Sequence, residues 1–443
     1  MKTSEQHVHV VGVAGVGMSA IAQALLDAGY RVTGSDRYID EGQALDVLDR
    51  LKAAGVELIP QDGSGISTAT ICVVVSTAIE ADNRDLRRSH VEKVPVVHRA
   101  EMLARLAAGK RLLAVTGTAG KTTVTGMIGH ICEEAGMDPV VVNGGSVVNW
   151  QAGDRVGSVR KGTGNLMIIE ADESDRSLMV FQPNYVVITN ISKDHFELEE
   201  VKELFKSFRD KASRWSILGP QAAVVLDGES DIALVVERLN NEVWFQHEGH
   251  RYLSPMPGHH NAENALLAVR VALRLGVAPD IIARALMSFR GIHRRLEVVG
   301  RANNITVLDD YAHNPAKIAA SWKAAAENSS RVIGIWRPHG FAPLSLMFNE
   351  FVQSFSNVCR PNDQLFILPV YYAGGTASKT GDAERLVQVL AEKGVNVHFV
   401  RNYATLHDKL LEILRPGDIA LGMGARDPEL PAFLHKLLMS GQA

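Results

Sequence analysis

LLAVTGTAGKTT, residues 112–123, decides the architecture of this 443-residue chain. Leu112–Thr116 is an apolar run of strand length. Gly117 and Gly120 bracket a short turn, and helical spacing then runs from Lys121 to about Glu134, where Gly136 stops it. Buried strand, glycine turn and helix together open a βαβ unit of a parallel sheet. Such a turn has a chemistry. Its glycines let backbone N–H groups approach phosphate oxygens, and the helix N-terminus adds positive potential. Lys121 can lie along the β and γ phosphates, and Thr122 can place its hydroxyl on Mg²⁺. Val115 stands where the full G-x-x-x-x-G-K-[ST] pattern has its first glycine. The bland alternative is a glycine turn with a chance lysine, and the strand before and helix after argue against it.

The same alternation extends both ways. Upstream, Val8–Val13 is a strand, Gly12, Gly15 and Gly17 form a turn, and Met18–Ala28 is a helix with Gly29 suited to its C′ position. Arg31–Gly34 begins a strand that ends at Ser35-Asp36, and Thr70–Ser76 and Val94–Val97 read as further strands. Downstream, Leu166–Ile169, Tyr185–Ile188 and Ala222–Leu226 read as strands, and Ala262 to about Leu275 as a helix. From Gly300 onward, Ile305–Leu308, Arg331–Trp336, Gln364–Leu368, Val395–Phe399 and Asp418–Leu421 repeat the pattern. The expectation is three α/β domains. Residues 1–107 form a Rossmann-like domain, 108–298 a P-loop-type ATPase domain, and 299–443 a second Rossmann-like domain.

Two predicted strand ends carry metal-ligand chemistry. Leu166–Ile169 runs into Glu170-Ala-Asp-Glu-Ser-Asp175, and Tyr185–Ile188 runs into a segment ending in Asp194-His195. Ligands of open parallel sheets bind beyond the carboxyl ends of strands, so Glu170 and His195 are expected near Thr122, its phosphates and Mg²⁺ (or Mn²⁺). The alternative for the acidic run is a solvated loop.

Composition narrows the partners. A net charge of −4 gives no general pull toward nucleic acid or an anionic membrane. Cys72, Cys132 and Cys359 form no paired motif, which argues against a zinc or disulfide framework and suits a reducing, cytoplasmic setting. No apolar run reaches membrane-spanning length. A monomer or homodimer acting on small molecules is expected.

In order along the chain, the motifs resemble those of the Mur ligases. They are Gly12–Ala22 with Gly-Met-Ser, Arg99-Ala-Glu-Met-Leu103, Gly117–Thr123, Asn143-Gly-Gly145, Glu170–Asp175 and Thr189–His195. Pro257–Asn264, Arg294-Arg-Leu-Glu297 and Asp309–Pro315 complete the set. The resemblance implies an ATP-dependent ligase that joins a carboxylate to an amine through an acyl-phosphate. Its substrates would be UDP-N-acetylmuramate and an amino acid, L-alanine first, or a short peptide, in peptidoglycan synthesis. It further implies that Gly117, Thr118, Ala119, Gly120, Lys121, Thr122 and Thr123 cradle ATP. Asn261 and Asn264 would contact adenine, Arg295 and His313 would reach phosphates, and Asp310 would bind ribose. Lys121, Glu170 and His195 would be catalytic, with Thr122, Glu170 and His195 holding metal. Gly15, Gly17, Met18, Ser19, Asp36, Asn143, Tyr311 and His339 would serve the substrates. The carbamylated lysine of some Mur ligases has no aligned counterpart in Lys206 or Lys211.

Three positions depart from the pattern. Ala119 and Asn314 replace histidines, and Gly340-Phe-Ala-Pro343 replaces an arginine-bearing run, so the amine pocket differs while the ATP chemistry is kept. Arg337 or His339 could substitute for the missing arginine. Four rival readings share parts of this pattern. A tripeptide-adding recycling ligase shares the chemistry. A folate-type polyglutamate ligase lacks the sugar-type first domain. An NAD-dependent oxidoreductase would read Gly12–Asp36 as its fingerprint and leave Lys121 unexplained. A catalytically silent nucleotide-binding partner would have no use for Lys121, Thr122, Glu170 and His195 together.

Overall fold

The first strand is apolar on both faces at its C-terminal end, where Val8, Val10 and Val11 are fully buried, as a central parallel strand requires. This is β1 (His7–Val11) in a computed structural model that describes residues 6–43, 45–191, 198–227, 234–239, 242–327, 329–371, 383–425 and 427–440. The chain turns at Gly12 (φ +74°) into α1 (Val16–Asp27). It continues through β2 (Arg31–Ser35), β3 (Glu57–Ile59), β4 (Thr70–Val75), β5 (Val96–His98) and α2 (Arg99–Leu106). The five strands form one parallel sheet in the order β3-β2-β1-β4-β5.

The quoted stretch forms β6 (Arg111–Thr116) and α3 (Lys121–Glu134). β7 (Val140–Val142), β8 (Val159–Arg160), β9 (Leu166–Glu170), β10 (Tyr185–Ile188) and β11 (Trp215–Leu218) complete a sheet ordered β8-β7-β9-β6-β10-β11. Only β8 is antiparallel to its neighbour. β6 therefore lies between β9 and β10, with Val115 in register with Glu170 and Thr116 with Ile188. That register brings the loops after β6, β9 and β10 to one edge.

One expected strand is a helix. Ala222–Leu226 lies within α4 (Pro220–Asp227), with Ala222 and Ala223 buried and Val224 exposed. A five-residue apolar run fits a strand or a buried helical face equally well, and Pro220 at the first helical position favours the helix. The edge slot beside β10 is filled by Trp215–Leu218 instead. α5 (His259–Arg274) and α6 (Pro279–Ser288) follow.

The final sheet starts with an antiparallel hairpin, β12 (Glu297–Ala302) and β13 (Ile305–Asp310). Its two turn residues, Asn303 and Asn304, both have positive φ, as a tight hairpin matched to strand twist demands. After α7 (Pro315–Ala326) come β14 (Arg331–Trp336), β15 (Gln364–Ile367), β16 (Val397–Phe399) and β17 (Asp418–Met423), in the order β12-β13-β17-β14-β15-β16. Trp322, Trp336, Phe351 and Phe355 pack beneath it with almost no exposure.

The chain divides into two compact units. The first comprises Met1–Glu237, Trp244–Pro255 and His260–Ile292, and so holds both of the first two sheets. The second comprises Arg238–Val243, Met256–His259 and His293–Ala443. Inside the first unit, a hairpin pairing Gln151–Ala152 with Arg155–Val156 joins the two sheets' layers. Arg155 makes two bonds to the Asp27 carboxylate at 2.7 and 2.6 Å. Arg50 donates to the carbonyls of Ala152 and Arg155, and the Val156 N–H donates to Gln23. No described helix is long and apolar enough to cross a membrane.

Candidate active site

The loop 117–120 owes its shape to two glycines with no room for a side chain. Gly117 has φ +132°, and a Cβ there would lie 2.1 Å from Thr189 Oγ1. Gly120 has φ +80°, and its Cβ would meet Asn264 Oδ1 at 2.5 Å. Neighbouring strand ends then brace the loop. Asn190 Oδ1 accepts from Thr118 Oγ1 at 2.9 Å and from the Ala119 N–H at 2.8 Å. Thr189 Oγ1 donates to the carbonyls of Thr116 and Ala119. Thr123 is buried behind Thr122 in the first turn of α3.

Glu170 stands at the end of β9 beside this loop. Its Oε1 accepts from Thr122 Oγ1 at 3.1 Å, and its Oε2 from the Gly144 N–H at 2.7 Å. A Cβ at Gly144 would sit 2.4 Å from Glu170 Oε2 and push the carboxylate out of its present position. Asn143 is buried and donates to the Thr122 carbonyl at 3.2 Å, tying β7 to the start of α3. Asn264 donates to Asn261 at 3.2 Å. The second expected metal ligand, His195, lies outside the described residues.

The acidic run after β9 is not a free solvated loop. Its acids are paired with cations: Asp172 with Arg99 at 3.2 Å, Glu173 with Lys121 at 2.7 Å, and Asp175 with His98 at 3.6 Å and the shared Arg99 at 3.8 Å. Burial works against the Asp172 charge, but the Lys121 ammonium and Arg99 guanidinium outweigh it and hold its carboxyl below the usual range. Arg99, Gly17, Asn143, Glu170 and Asp172 line a cavity of about 160 Å³ in the first unit. Gly17 lies close under Arg99: a Cβ there would sit 2.7 Å from its Nη1 and displace the guanidinium from its present position.

The other expected substrate residues near the first glycine turn have local duties. Gly15 caps α1, Met18 is in the hydrophobic core, and Ser19 Oγ donates to the Val16 carbonyl. Asp36 is buried and accepts from the N–H groups of Ala14 (2.9 Å) and Tyr38 (3.1 Å), so it holds the turn's backbone.

In the second unit, Asp310 accepts from the N–H groups of Leu296 (2.7 Å) and Ala312 (2.8 Å), and burial pushes its carboxyl up. Arg295 lies between two residues in left-handed conformation, Arg294 and Leu296. Arg294, which sequence reading passed over, is the buried one. It pairs with Asp309 at 3.2 Å, donates to the Gly424 carbonyl and lies over the Tyr311 ring. His313 bonds the Tyr311 carbonyl at 3.0 Å, and the two rings meet edge-on. His339 packs near Tyr371. Arg337 follows β14, donating to Asp427 at 3.0 Å and Glu429 at 3.3 Å, with the rings of Tyr371 and Tyr403 beside it. Asp427 is fully buried and also accepts from Tyr403.

Sequence reading placed Arg99 and Glu173 in motifs without giving either a role, and it missed the pairing of Arg337 with Asp427. The Glu170–Asp175 run was visible, but its ion-pair partners lie 52 to 77 positions away, beyond any local pattern.

Known proteins place this arrangement in a class. The profile "Mur ligase family, catalytic domain" matches residues 7–111, "Mur ligase middle domain" matches 115–225, and "Mur ligase, glutamate ligase domain" matches 294–426. The chain belongs to the Mur ligase family. It is 34% identical to the UDP-N-acetylmuramate–L-alanine ligase of Desulfosudis oleivorans, over 95% of this chain and 96% of that one. It is 35% identical to the ligase of the same name from Syntrophotalea carbinolica, over 94% of each. The solved UDP-N-acetylmuramate–alanine ligase of Thermotoga maritima superposes with a TM-score of 0.77 at 25% identity, covering 98% of this chain and 99% of the other. A murein peptide ligase of Psychrobacter arcticus shares the fold, with a TM-score of 0.64 at 21% identity over 99% of each chain.

Proposed function

We propose that this chain joins the carboxylate of UDP-N-acetylmuramate to the amine of L-alanine in the cytoplasm, using ATP. The observation that carries this reading is a single edge of the central sheet. There Lys121, Thr122 and Glu170 stand next to a cavity bounded by Gly17, Arg99 and Asn143, so a nucleotide loop adjoins a pocket between two sheets.

A carboxylate is a poor electrophile because its oxygen is a bad leaving group. Attack of a carboxylate oxygen on the γ-phosphorus, with release of ADP, gives an acyl-phosphate. Attack of the amine on the acyl carbon then releases inorganic phosphate. In the first step two anions meet, and the Lys121 ammonium with the positive N-terminus of α3 offsets their repulsion. Arg99, set by Asp172, would bind an anionic group of the sugar nucleotide in the cavity. The carboxylate of Glu170 beside the Thr122 hydroxyl is a pair of hard oxygen donors and fits Mg²⁺. When bound, the metal would neutralise phosphate charge. Asn261 and Asn264 on α5 are proposed for adenine, and Arg295, Asp310 and His313 as the second unit's nucleotide contacts.

Phosphate release with UDP-N-acetylmuramate and a panel of amines tests the assignment. L-alanine should give the highest kcat/KM. No amine-dependent release with any member would overturn it. A second reading, addition of a preformed tripeptide, has one observation in its favour. Arg337, at the carboxyl edge of β14, is already engaged by two acids, which leaves little of its charge for the α-carboxylate of a free amino acid. Higher kcat/KM with the tripeptide would select it. The NAD reading is disfavoured because it leaves the Lys121, Thr122 and Glu170 cluster without a use.

A further inference from the structure

Lys121 is not poised in open solvent. Its ammonium donates to the Gly117 carbonyl at 2.8 Å and to Glu173 Oε2 at 2.7 Å, and the Glu173 side chain is only 3% exposed. Lysine is a point charge on a flexible four-carbon stem. Two fixed acceptors remove that freedom. A charge already in place when the phosphoryl group starts to move needs no reorganisation at that moment.

The arrangement has an electrostatic cost. A carboxylate touching the ammonium cancels part of its charge and repels an incoming polyphosphate. A neutral acceptor would bind ATP better, so a buried acid at this position trades ground-state affinity for placement. Only interactions stronger in the transition state than in the ground state raise the chemical rate.

We infer that Glu173 is a positioning residue for phosphoryl transfer, fixing the Lys121 ammonium at the expense of ATP affinity. The inference rests on the reading of residues 117–123 as the ATP loop. It makes predictions of opposite sign for binding and for turnover, which a merely structural role would not. Glutamine keeps an oxygen in the same place but removes the charge, and charge-assisted hydrogen bonds are about twice as strong as neutral ones.

The test compares parent, Glu173→Gln and Glu173→Asp as full-length protein. Binding of a non-hydrolysable ATP analogue is measured by titration calorimetry, and turnover by phosphate release. In Glu173→Gln the analogue's Kd should fall about threefold or more while kcat falls about tenfold or more. Glu173→Asp, which keeps the charge on a shorter stem, should recover part of kcat without the gain in affinity. Unchanged or weaker analogue binding in Glu173→Gln, or kcat within about twofold of parent, would overturn the inference. If Glu173→Gln fails to fold, Glu173→Asp decides alone: parental kcat overturns the inference, and reduced kcat at parental Kd supports it. If the parent itself ligates none of the amines, the proposed function fails, and the analogue titration still decides the role of Glu173.

Discussion

Two glycine turns of this molecule connect a buried parallel strand to a helix, one at residues 12–17 and one at 117–120, and they do opposite things. At the first, Gly12 makes the turn, and the freed Ala14 N–H is taken by the Asp36 carboxylate. At the second, Gly117 and Gly120 both have positive φ, and braces from Thr189 and Asn190 surround a loop that ends in Lys121. In the first turn a carboxylate holds one N–H, and in the second Asn190 holds the N–H groups of Thr118 and Ala119. A turn closed by outside braces and ending in a cation can receive a polyphosphate. Glycine spacing alone does not separate the two cases; the lysine that ends the second turn does.

The largest expected effect tests the second turn. Lys121→Ala should reduce ligation by about three orders of magnitude, read as phosphate release. It should also lower the Tm, because Glu173 would lose its partner while 3% exposed. Adding Glu173→Gln should restore much of the Tm and none of the activity. A Tm that does not recover would mean that the pair is not what links loop and fold.

Gly117→Ala against Gly15→Ala is the direct contrast between the turns. Gly15 has φ −66° and a tolerable 3.3 Å approach to the Gly12 carbonyl, so alanine there should cost about 1 kcal/mol or less. Gly117→Ala must relieve both a positive φ and a 2.1 Å clash, at a cost of several kcal/mol, about 3 or more, with ATP binding lost. Equal losses in urea unfolding would erase the distinction.

Asp36→Ala probes the first turn from the other side. Losing an acceptor for two N–H groups should cost about 1–3 kcal/mol in chemical denaturation and leave the Kd of an ATP analogue unchanged. A weakened Kd would mean that the first turn also serves the nucleotide.

The legibility of the chain follows the same divide between local pattern and distant partner. The helix Lys121–Glu134 and the strands Tyr185–Ile188 and Arg331–Trp336 were readable because strand alternation, helical spacing and terminal glycines are local signals. Ala222–Leu226 was misread because a short apolar run has no period of its own. Val140–Val142 is a three-residue strand made by its neighbours β8 and β9 and not by its own length. In the site, Lys121, Thr122 and Glu170 were legible from strand ends. Glu173 and Arg99 were not, because an ion pair has no signature until the fold brings its halves together.

The smallest effect concerns the far end of α3. Burial opposes the charge of Glu133, but bonds from His130, Trp150 and Arg160 prevail and hold its carboxyl down at about 2, against an ordinary 4.5. For a depressed acid the stabilisation is complete above pH 4.5 and fades as the pH falls toward 2. Glu133→Gln should therefore lower stability at neutral pH by about 2 kcal/mol at most, after solvent screening, and flatten the acid limb of the stability curve. Parallel curves for variant and parent in pH-dependent urea melts would contradict this. α1 has the matching feature, an acid in its last turn, Asp27, held by Arg155.

That last pair bears on how the chain comes apart. The hairpin carrying Arg155 belongs by sequence to the middle region, yet its side chain grips the last turn of α1 in the preceding one, and Arg50 grips the hairpin in return. Two regions matched by separate family profiles are thereby fastened together and should melt as one cooperative block. Scanning calorimetry of the intact protein should give the first two sheets a shared endotherm. Arg155→Ala should split it, freeing the N-terminal sheet to melt first.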